Sequence, residues 1–494
     1  MSSDISQATA AEVEELANMM KEKAPCEDKK PRQSQADRVV ELAEQVEFFH
    51  QDVDEGFANV KVADHVETWR VNSASFKRWL SREFYLHHKK APSSQALKDA
   101  LNVLAARAIH DGKQRSVHIR VAEHDGKLYL DLADANWRAV EITSAGWSII
   151  EDVPVKFIRS RGILPIPAPV RDGSFDELRP FLNVPDESAF ALVKGFLIST
   201  LRPNLPFAFL VLNGEHGSAK TSTMSALKNI VDPGKGCKRS FPREIRDLAI
   251  AARNGWLLDF DNVSHIPDWM SDALCRLSTG GGFSTRELRT DSDEIIFDYQ
   301  RPVMLTGIGD FVTRPDLLDR CIVVQLPVMP DKKRLQEADL NCQFEIARPR
   351  ILGAVLDAVV AALRNHSAVR FDSLPRMADF AAWVVAAETA HNKEPIFLNA
   401  YCGNRADLNE TAIHTSTVGT ALLQFLEDKD RWDGFLADLL DGLNLKAPES
   451  VRKSRTWPTI PRMLKEQPYS ALLQISGRWE LKSRSISAQI RECL

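Results

Sequence analysis

The 494-residue sequence holds only seven cysteines, at positions 26, 237, 275, 321, 342, 402 and 493, with no C-x-x-C pair and no histidine at ligand spacing from any of them. That scatter supports neither a zinc site nor a disulfide framework and fits reduced thiols in a cytoplasmic protein. Long apolar runs are missing too: no stretch approaches the ~20 residues that cross a bilayer, and Met1 leads into polar residues rather than a signal peptide. A soluble intracellular chain with no membrane contact is the expectation. Neither sign of charge dominates, with 63 Lys and Arg against 68 Asp and Glu, a formal net charge of −5 and a pI near 6.2. No global basic field advertises nucleic acid, so any such contact must come from a local surface. There is no internal repeat.

What is present is a folded soluble composition, 44% hydrophobic and 27% charged, in a chain long enough for roughly two to four domains. Residues 1–35 are polar, end in Lys29-Lys-Pro-Arg-Gln-Ser-Gln, and carry too little apolar surface to fold alone. They read as a flexible arm, or as a helix ordered only by a partner protein. Over 36–170, helical spacing in Val39-Val40-x-Leu42-x-x-x-Val46, Phe76-x-x-Trp79-Leu80-x-x-x-Phe84 and Ala96-Leu97-x-x-Ala100-Leu101-x-x-Leu104 gives way to alternation in Val117-x-Ile119-x-Val121, Leu128-Tyr129-Leu130-x-Leu132 and Ala139-Val140-x-Ile142. This predicts an α+β domain. Trp69, Trp79, Trp137 and Trp147 could stack on bases, but core packing is the favoured reading in a small domain. Leu164-Pro-Ile-Pro-Ala-Pro169 reads as an extended connector.

The centre of the chain, 171–330, carries the chemistry. Phe207-Ala-Phe-Leu-Val-Leu-Asn is an apolar run fit for a buried parallel strand, and Gly214-Glu215-His216-Gly217-Ser218-Ala219-Lys220-Thr221-Ser222 follows it into a helix expected from about Ser222 to Ile230. That is a P-loop. Backbone N–H groups and the helix N-terminus cradle phosphates, the lysine reaches the outer ones, and the threonine hydroxyl binds Mg²⁺. The alternative, a turn with a solvated lysine, is disfavoured by the strand before and the helix after. Ala219 stands where the motif has its second glycine.

Partners for the loop follow. Gly255-Trp-Leu-Leu-Asp259-Phe-Asp261-Asn262 is an apolar strand ending in acid, as a Walker B strand must be to bring a carboxylate to the phosphates and Mg²⁺. Asp261 is assigned to the metal, with Asp259, two residues back on the same face, in reserve. A helix over Pro242–Arg253, capped by Ser240 and stopped by Gly255, would make the crossover. A third strand, Pro302-Val-Met-Leu-Thr306-Gly307, ends in a polar residue able to orient the attacking water. Arg314-Pro-Asp-Leu-Leu-Asp-Arg320 precedes a fourth strand, Cys321-Ile-Val-Val-Gln-Leu326. Arg320 could enter a neighbouring subunit's nucleotide, or it could form a salt bridge with Asp316 or Asp319. Within Leu277 to Phe297, two alternating arms flank Asp291-Ser-Asp293 and read as a hairpin, and Arg286 and Arg289 on its arm are candidates for the backbone of a single strand. Residues 331–445 are helical, as in Ile351-Leu352-x-x-Val355-Leu356, Phe380–Ala387 and an amphipathic stretch over Trp432–Leu440. Residues 446–494 are locally basic (Arg452, Lys453, Arg455, Arg462, Lys465, Arg478, Lys482, Arg484, Arg491) with a winged-helix-like pattern, either a DNA contact or a solvated face.

Taken together, Gly214-Glu-His-Gly-Ser-Ala-Lys-Thr, Trp256-Leu-Leu-Asp-Phe-Asp-Asn, Thr279-Gly-Gly-Gly-Phe-Ser-Thr-Arg-Glu-Leu and Arg314-Pro-Asp-Leu-Leu-Asp-Arg resemble the ATPase of phage and mobile-element primase–helicase proteins. That group is related to superfamily 3 helicases within the AAA+ class. The resemblance implies an α/β fold: an AAA+ P-loop core with a parallel sheet sandwiched by helices, an N-terminal α+β domain and a C-terminal helical and winged-helix-like region. It implies ATP and Mg²⁺, a homo-hexameric ring with nucleotide between subunits, and 3′→5′ movement on single-stranded or forked DNA. By position, Lys220 and Thr221 match Walker A, Asp261 Walker B, Thr306 the first sensor, Arg320 the arginine finger, and Arg286 and Arg289 the pore hairpin. Asn262 occupies the place where many such ATPases carry a second, water-activating acid. It keeps a second reading open: an ATP-gated assembly ATPase with slow hydrolysis that recruits a replication or element-encoded protein through the arm. A small-molecule kinase leaves the third and fourth strands and Arg320 without a role.

Overall fold

The structure is a computed structural model that describes residues 33–51, 55–236, 238–281, 283–286, 294–297, 299–330, 332, 336–371, 373–388, 396–415, 417–426, 431–434, 436–452, 473–475 and 478–482. The arm over 1–32, Arg289, the hairpin tip and most of the basic C-terminal residues therefore lie outside the described residues. The chain divides into two compact units after Ser116, inside the span 36–170 expected to be one domain.

In the first unit, α1 (Gln35–Glu41) opens with a reciprocal cap: the Ser34 hydroxyl accepts the Asp37 N–H at 3.1 Å and the Asp37 carboxylate accepts the Ser34 N–H at 3.0 Å. A sheet of β1 (Glu47–His50), β2 (Gly56–Val62), β3 (His65–Arg70) and β4 (Lys113–Gln114) runs in the order β3-β2-β1-β4. Helices α2 (Ala74–His88) and α3 (Ser94–His110), each N-capped by a serine, pack with α1 and the sheet around Val39, Ala58, Val60, Phe76, Leu80 and Leu104. Trp79 stacks on Phe76 at 5.6 Å and Trp69 packs on the same core, which accounts for both as packing residues.

The second unit begins with β5 (Val117–His118) and an antiparallel meander, β6 (Val121–His124), β7 (Lys127–Asp131), β8 (Ala139–Thr143) and β9 (Gly146–Ile150), with β10 (Lys156–Phe157) pairing back to β5. Trp137 lies under the Arg159 guanidinium at 3.8 Å, and Trp147 donates its indole N–H to Asp357 at 2.8 Å. Both are thus engaged within the fold.

Helix α4 (Glu187–Ser199) leads into the central sheet. Its strands are β11 (Phe209–Asn213), β12 (Leu258–Val263), β15 (Val303–Gly307) and β16 (Cys321–Gln325), parallel throughout, in the order β12-β15-β11-β16. Between them run α5 (Lys220–Val231), α6 (Ile245–Asn254), α7 (Asp268–Thr279), a hairpin of β13 (Phe283–Arg286) and β14 (Glu294–Phe297), and the single turn α8 (Pro315–Leu318). Phe209, Val211, Leu258, Phe260, Val303 and Leu305 meet Leu248, Ala252, Met270, Leu274 and Leu277 of α6 and α7 on one face. Alternate residues Leu210, Leu212, Met304, Ile322 and Val324 are buried on the other, where α4 and α5 pack. Burial on both sides explains why these strands read as unbroken apolar runs.

Beyond the sheet come α9 (Glu337–Asn365), α10 (Ala378–Glu388), α11 (Ile396–Thr415) and α12 (Thr417–Leu426). The expected helix over Trp432–Leu440 is corrected. Trp432 lies on β17 (Arg431–Gly434) opposite Leu481, and the helix α13 starts only at Leu436 (Leu436–Lys446). Gly434 disfavours helix, and the aromatic finds a strand partner instead. Strands β18 (Leu473–Ile475) and β19 (Arg478–Lys482) complete a three-stranded antiparallel sheet in the order β17-β19-β18.

Candidate nucleotide-binding site

Strand β11 ends at Asn213, whose side-chain oxygen accepts the Gly214 N–H at 2.9 Å. A Cβ at Gly214 would stand 2.6 Å from the Leu326 carbonyl oxygen and 2.7 Å from Ser218 Oγ, so the turn has room for glycine alone. Gly217 (φ 78°) and Ala219 (φ 60°) both take left-handed backbone. Ala219 thus adopts the conformation of the glycine it replaces, at a cost of about 1–2 kcal/mol. Helix α5 begins directly at Lys220, two residues ahead of the expected start.

Lys220 is folded over the loop. Its ammonium donates to the carbonyls of Gly214 (2.7 Å) and Glu215 (2.8 Å) and lies 3.4 Å from Ser218 Oγ. Burial lowers its pKa and the Asp261 carboxylate opposes that. Ser218 is buried and donates to the Glu215 carbonyl at 2.8 Å, whereas Glu215, His216 and Ser222 are exposed.

The acid strand meets this cradle from two positions away. Thr221 Oγ1 lies 3.1 Å from both carboxylate oxygens of Asp261, and the buried Thr306 hydroxyl at the end of β15 donates to Asp261 Oδ1. The same Thr306 oxygen accepts the Asn262 N–H at 3.0 Å. Asn262 itself is left-handed (φ 55°) where the β12–β15 register breaks, and it is exposed. Three segments separated in sequence thereby converge on one carboxylate. The oxygen donors Thr221 and Asp261 suit a hard cation such as Mg²⁺, which uses one or two carboxylates together with phosphate and water. No cluster of three or more His, Cys, Asp or Glu exists among the described residues.

Asp259, held in reserve for the metal, makes other contacts. Its carboxylate accepts the Lys238 N–H at 2.6 Å and faces Lys228 at 3.5 Å, 1% exposed beneath the site. Lys228 also pairs with Asp232 at 3.0 Å, and Asp232 receives Arg120 Nε at 3.0 Å and the N–H groups of Trp256 and Leu257. Arg120 is fully buried and spends its other nitrogens on the carbonyls of Asp131, Leu164 and Pro233. Burial would raise the Asp232 pKa; Lys228 and Arg120 outweigh it and hold the carboxyl well below the usual range. The crossover helix also differs from expectation: it runs Ile245–Asn254 and starts at Glu244 without a side-chain cap, although Gly255 does end it.

Arg320 lies at the opposite edge of the sheet. Its carbonyl accepts the Phe209 N–H at the amino end of β11, and Cys321 pairs with Phe209 while Gln325 pairs with Asn213. Arg320 therefore sits about 16 Å along the strands from its own loop. Neither expected carboxylate bridge forms: its NH1 donates to the Asp316 carbonyl, its Nε is buried with no partner, and Asp319 is held by Arg405 at 3.1 Å and Arg376 at 3.7 Å. Arg286 closes β13 opposite Glu294 in an antiparallel hairpin, as expected. Sequence reasoning missed Asn183, whose side-chain amide donates to the carbonyls of Ser218 (3.0 Å) and Pro327 (2.6 Å) and so braces the loop from outside. A lone asparagine before a helix carries no signal of that role.

No helix among the described residues is long and apolar enough to cross a membrane. Comparison with curated proteins finds no match. Among solved structures, the chain is similar to one titled SCCmec type IV Cch, active helicase (TM-score 0.44, 11% identity, 90% of this chain and 94% of that one). It is also similar to the NrS-1 C-terminal region (0.43, 12%, 89% and 97%) and to a full-length MCM homologue from Methanopyrus kandleri (0.33, 13%, 67% and 88%). Residues 418–467 match the C-terminal domain of the RepA protein of actinomycete integrative conjugative elements. Residues 175–411, which hold every element of the site, match the family of actinomycete integrative conjugative element replication proteins.

Proposed function

We propose that this chain is an ATP-dependent ring ATPase that draws single-stranded or forked DNA through a central pore, acting as a helicase in the replication of a conjugative element. The observation that carries this reading is the convergence of Thr221, Asp261 and Thr306 at the N-terminus of α5, beside Lys220. Loop N–H groups from Gly217 to Thr221 and the helix end would receive the phosphates of ATP, and Lys220 would exchange its loop carbonyls for the outer phosphate oxygens. Thr221 and Asp261 would hold Mg²⁺, which supplies positive charge against the charge developing on the transferred phosphoryl group. Thr306 fixes the rotamer of Asp261 and, with Asn262, borders the place where water would attack.

The position of Arg320 at the far edge of the sheet supports a site shared between copies, in which one subunit supplies the cradle and the next the arginine. Arg286 and Arg289 would grip the sugar–phosphate backbone in the pore. The assembly reading draws on Asn262, where no second acid stands, and one experiment separates the two. ATP turnover is measured with and without single-stranded DNA on wild type, Lys220→Ala and Arg320→Ala, alongside sedimentation in Mg-ATP. Turnover stimulated by DNA, and abolished by either substitution, supports the motor. Slow turnover indifferent to DNA, with assembly still driven by ATP, supports recruitment instead. A monomer at saturating Mg-ATP overturns both.

A further inference from the structure

Arg320 follows α8, a helix of only four residues that opens with Pro315. One turn has almost no stability of its own, so the place from which Arg320 projects must be set by tertiary anchors. Two consecutive residues of α11 supply them. Arg405 forks onto Asp319, with NH1 donating to its carbonyl at 2.9 Å and NH2 to its carboxylate at 3.1 Å. Asn404 clasps both backbone groups of Val323: its Oδ1 accepts the N–H at 3.1 Å and its Nδ2 donates to the carbonyl at 2.6 Å. The amide thereby imitates a neighbouring strand along the free edge of β16.

The two anchors bracket Arg320. The Arg320 backbone is tied to β11 through the Phe209 N–H, but its side chain makes only one bond, to the Asp316 carbonyl, and leaves a buried Nε with no partner. Helix α11 is in turn seated by aromatic contacts, with Phe397 on Tyr401 at 5.6 Å and both on Phe380 of α10 at 5.7 Å. From this geometry we infer that Arg405 and Asp319 are positioning residues, through which the C-terminal helical region aims Arg320 at the neighbouring copy's triphosphate, a role that rests on the shared-site reading above. The bidentate contact is what a positioning role needs, because an arginine fork fixes direction as well as distance. A lysine at 405 would keep the charge and lose the direction.

Displacing a reacting group by about 1 Å can cost about 10²-fold in rate. Arg405→Ala should therefore lower kcat by about 10²-fold with KM for ATP unchanged. Arg405→Lys should recover only part of that loss, and Asp319→Asn, which keeps an oxygen for Arg405, should be milder than Asp319→Ala. The decisive assay mixes inactive subunits. Lys220→Ala lacks a working cradle but keeps its arginine, and Arg320→Ala has the reverse defect, so the two together should regain turnover. Arg405→Ala should behave as Arg320→Ala does, regaining turnover with Lys220→Ala and none with Arg320→Ala. If Lys220→Ala and Arg320→Ala fail to complement, the shared site falls and this role with it. If they complement but Arg405→Ala and Asp319→Ala do not recover with Lys220→Ala, or if their loss appears in KM, the positioning role alone is overturned. Circular dichroism and thermal midpoints identify a variant that has simply failed to fold; for such a variant, Arg405→Lys and Asp319→Asn, taken through the same mixtures, give the answer.

Discussion

Thr306→Val isolates one contact at the centre of the site. Valine preserves the shape of threonine but can neither donate to Asp261 nor accept the Asn262 N–H, which lies 3.0 Å from the hydroxyl it would lose. The side chain is fully buried, so water has no ready route to replace it. A hydrogen bond to a charged group contributes about 1.5–3 kcal/mol, and an orphaned backbone N–H costs about 1–3 kcal/mol more. The first quantity bears on turnover, because Asp261 keeps its two 3.1 Å contacts with Thr221 but loses the one that fixes its other side. At 1.36 kcal/mol per decade, kcat should fall by about 10- to 100-fold. The second quantity bears on the fold and should lower the thermal midpoint; a single unfolding free energy is not defined for a chain of two units. The assay is steady-state hydrolysis at saturating Mg-ATP beside direct titration with a fluorescent nucleotide, with Thr306→Ser as control. Serine should restore both activity and midpoint. A valine variant with wild-type kcat, or a serine variant as slow as valine, would refute the role given to the hydroxyl.

Gly214→Ala places a Cβ 2.6 Å from the Leu326 carbonyl; overpacking of this kind costs about 1–3 kcal/mol, and nucleotide titration should show affinity weakened by about 5- to 100-fold. Arg120→Met leaves Asp232 with one cation and removes a donor from the carbonyls of Asp131, Leu164 and Pro233, which should destabilise the unit by about 3–5 kcal/mol; an unchanged thermal midpoint would show the network to be inert. His118 is held neutral, mainly by burial and then by its electrostatic interaction with Arg301 and His124, with its pKa lowered from 6.5 to about 4. The unfolded chain therefore binds a proton that the folded chain refuses, so this contribution is complete above about pH 6.5 and is lost as pH falls toward 4. Midpoints measured at pH 7.5 and pH 5 should differ less in His118→Gln than in wild type.

Much of the central sheet was readable in the sequence because its signals are local. Apolar runs mark β11, β12, β15 and β16, and the glycines and Lys220-Thr221 follow one of them at fixed spacing. The hairpin was readable for the same reason, from alternation about a turn. The order of the strands was not, since nothing in β15 announces that it inserts between β11 and β12 and so delivers Thr306 to Asp261. Contacts made across long separations were equally silent. Asn183 reaches Pro327 and Arg405 reaches Asp319 with no periodicity to betray either pairing. Trp432 failed for another reason: a short amphipathic stretch fits helix and strand alike until its partner, here Leu481, is known.

The buried chain Arg120–Asp232–Lys228–Asp259 has a consequence for how relatives of this protein can diverge. Each member is tolerable inside only because of the next, so replacing one at a time passes through an intermediate with a stranded charge. Change at these positions should come in concert or not at all. A chimera that grafts the meander of one homologue onto the parallel-sheet core of another should fold only if residue 120 travels with its acid at 232.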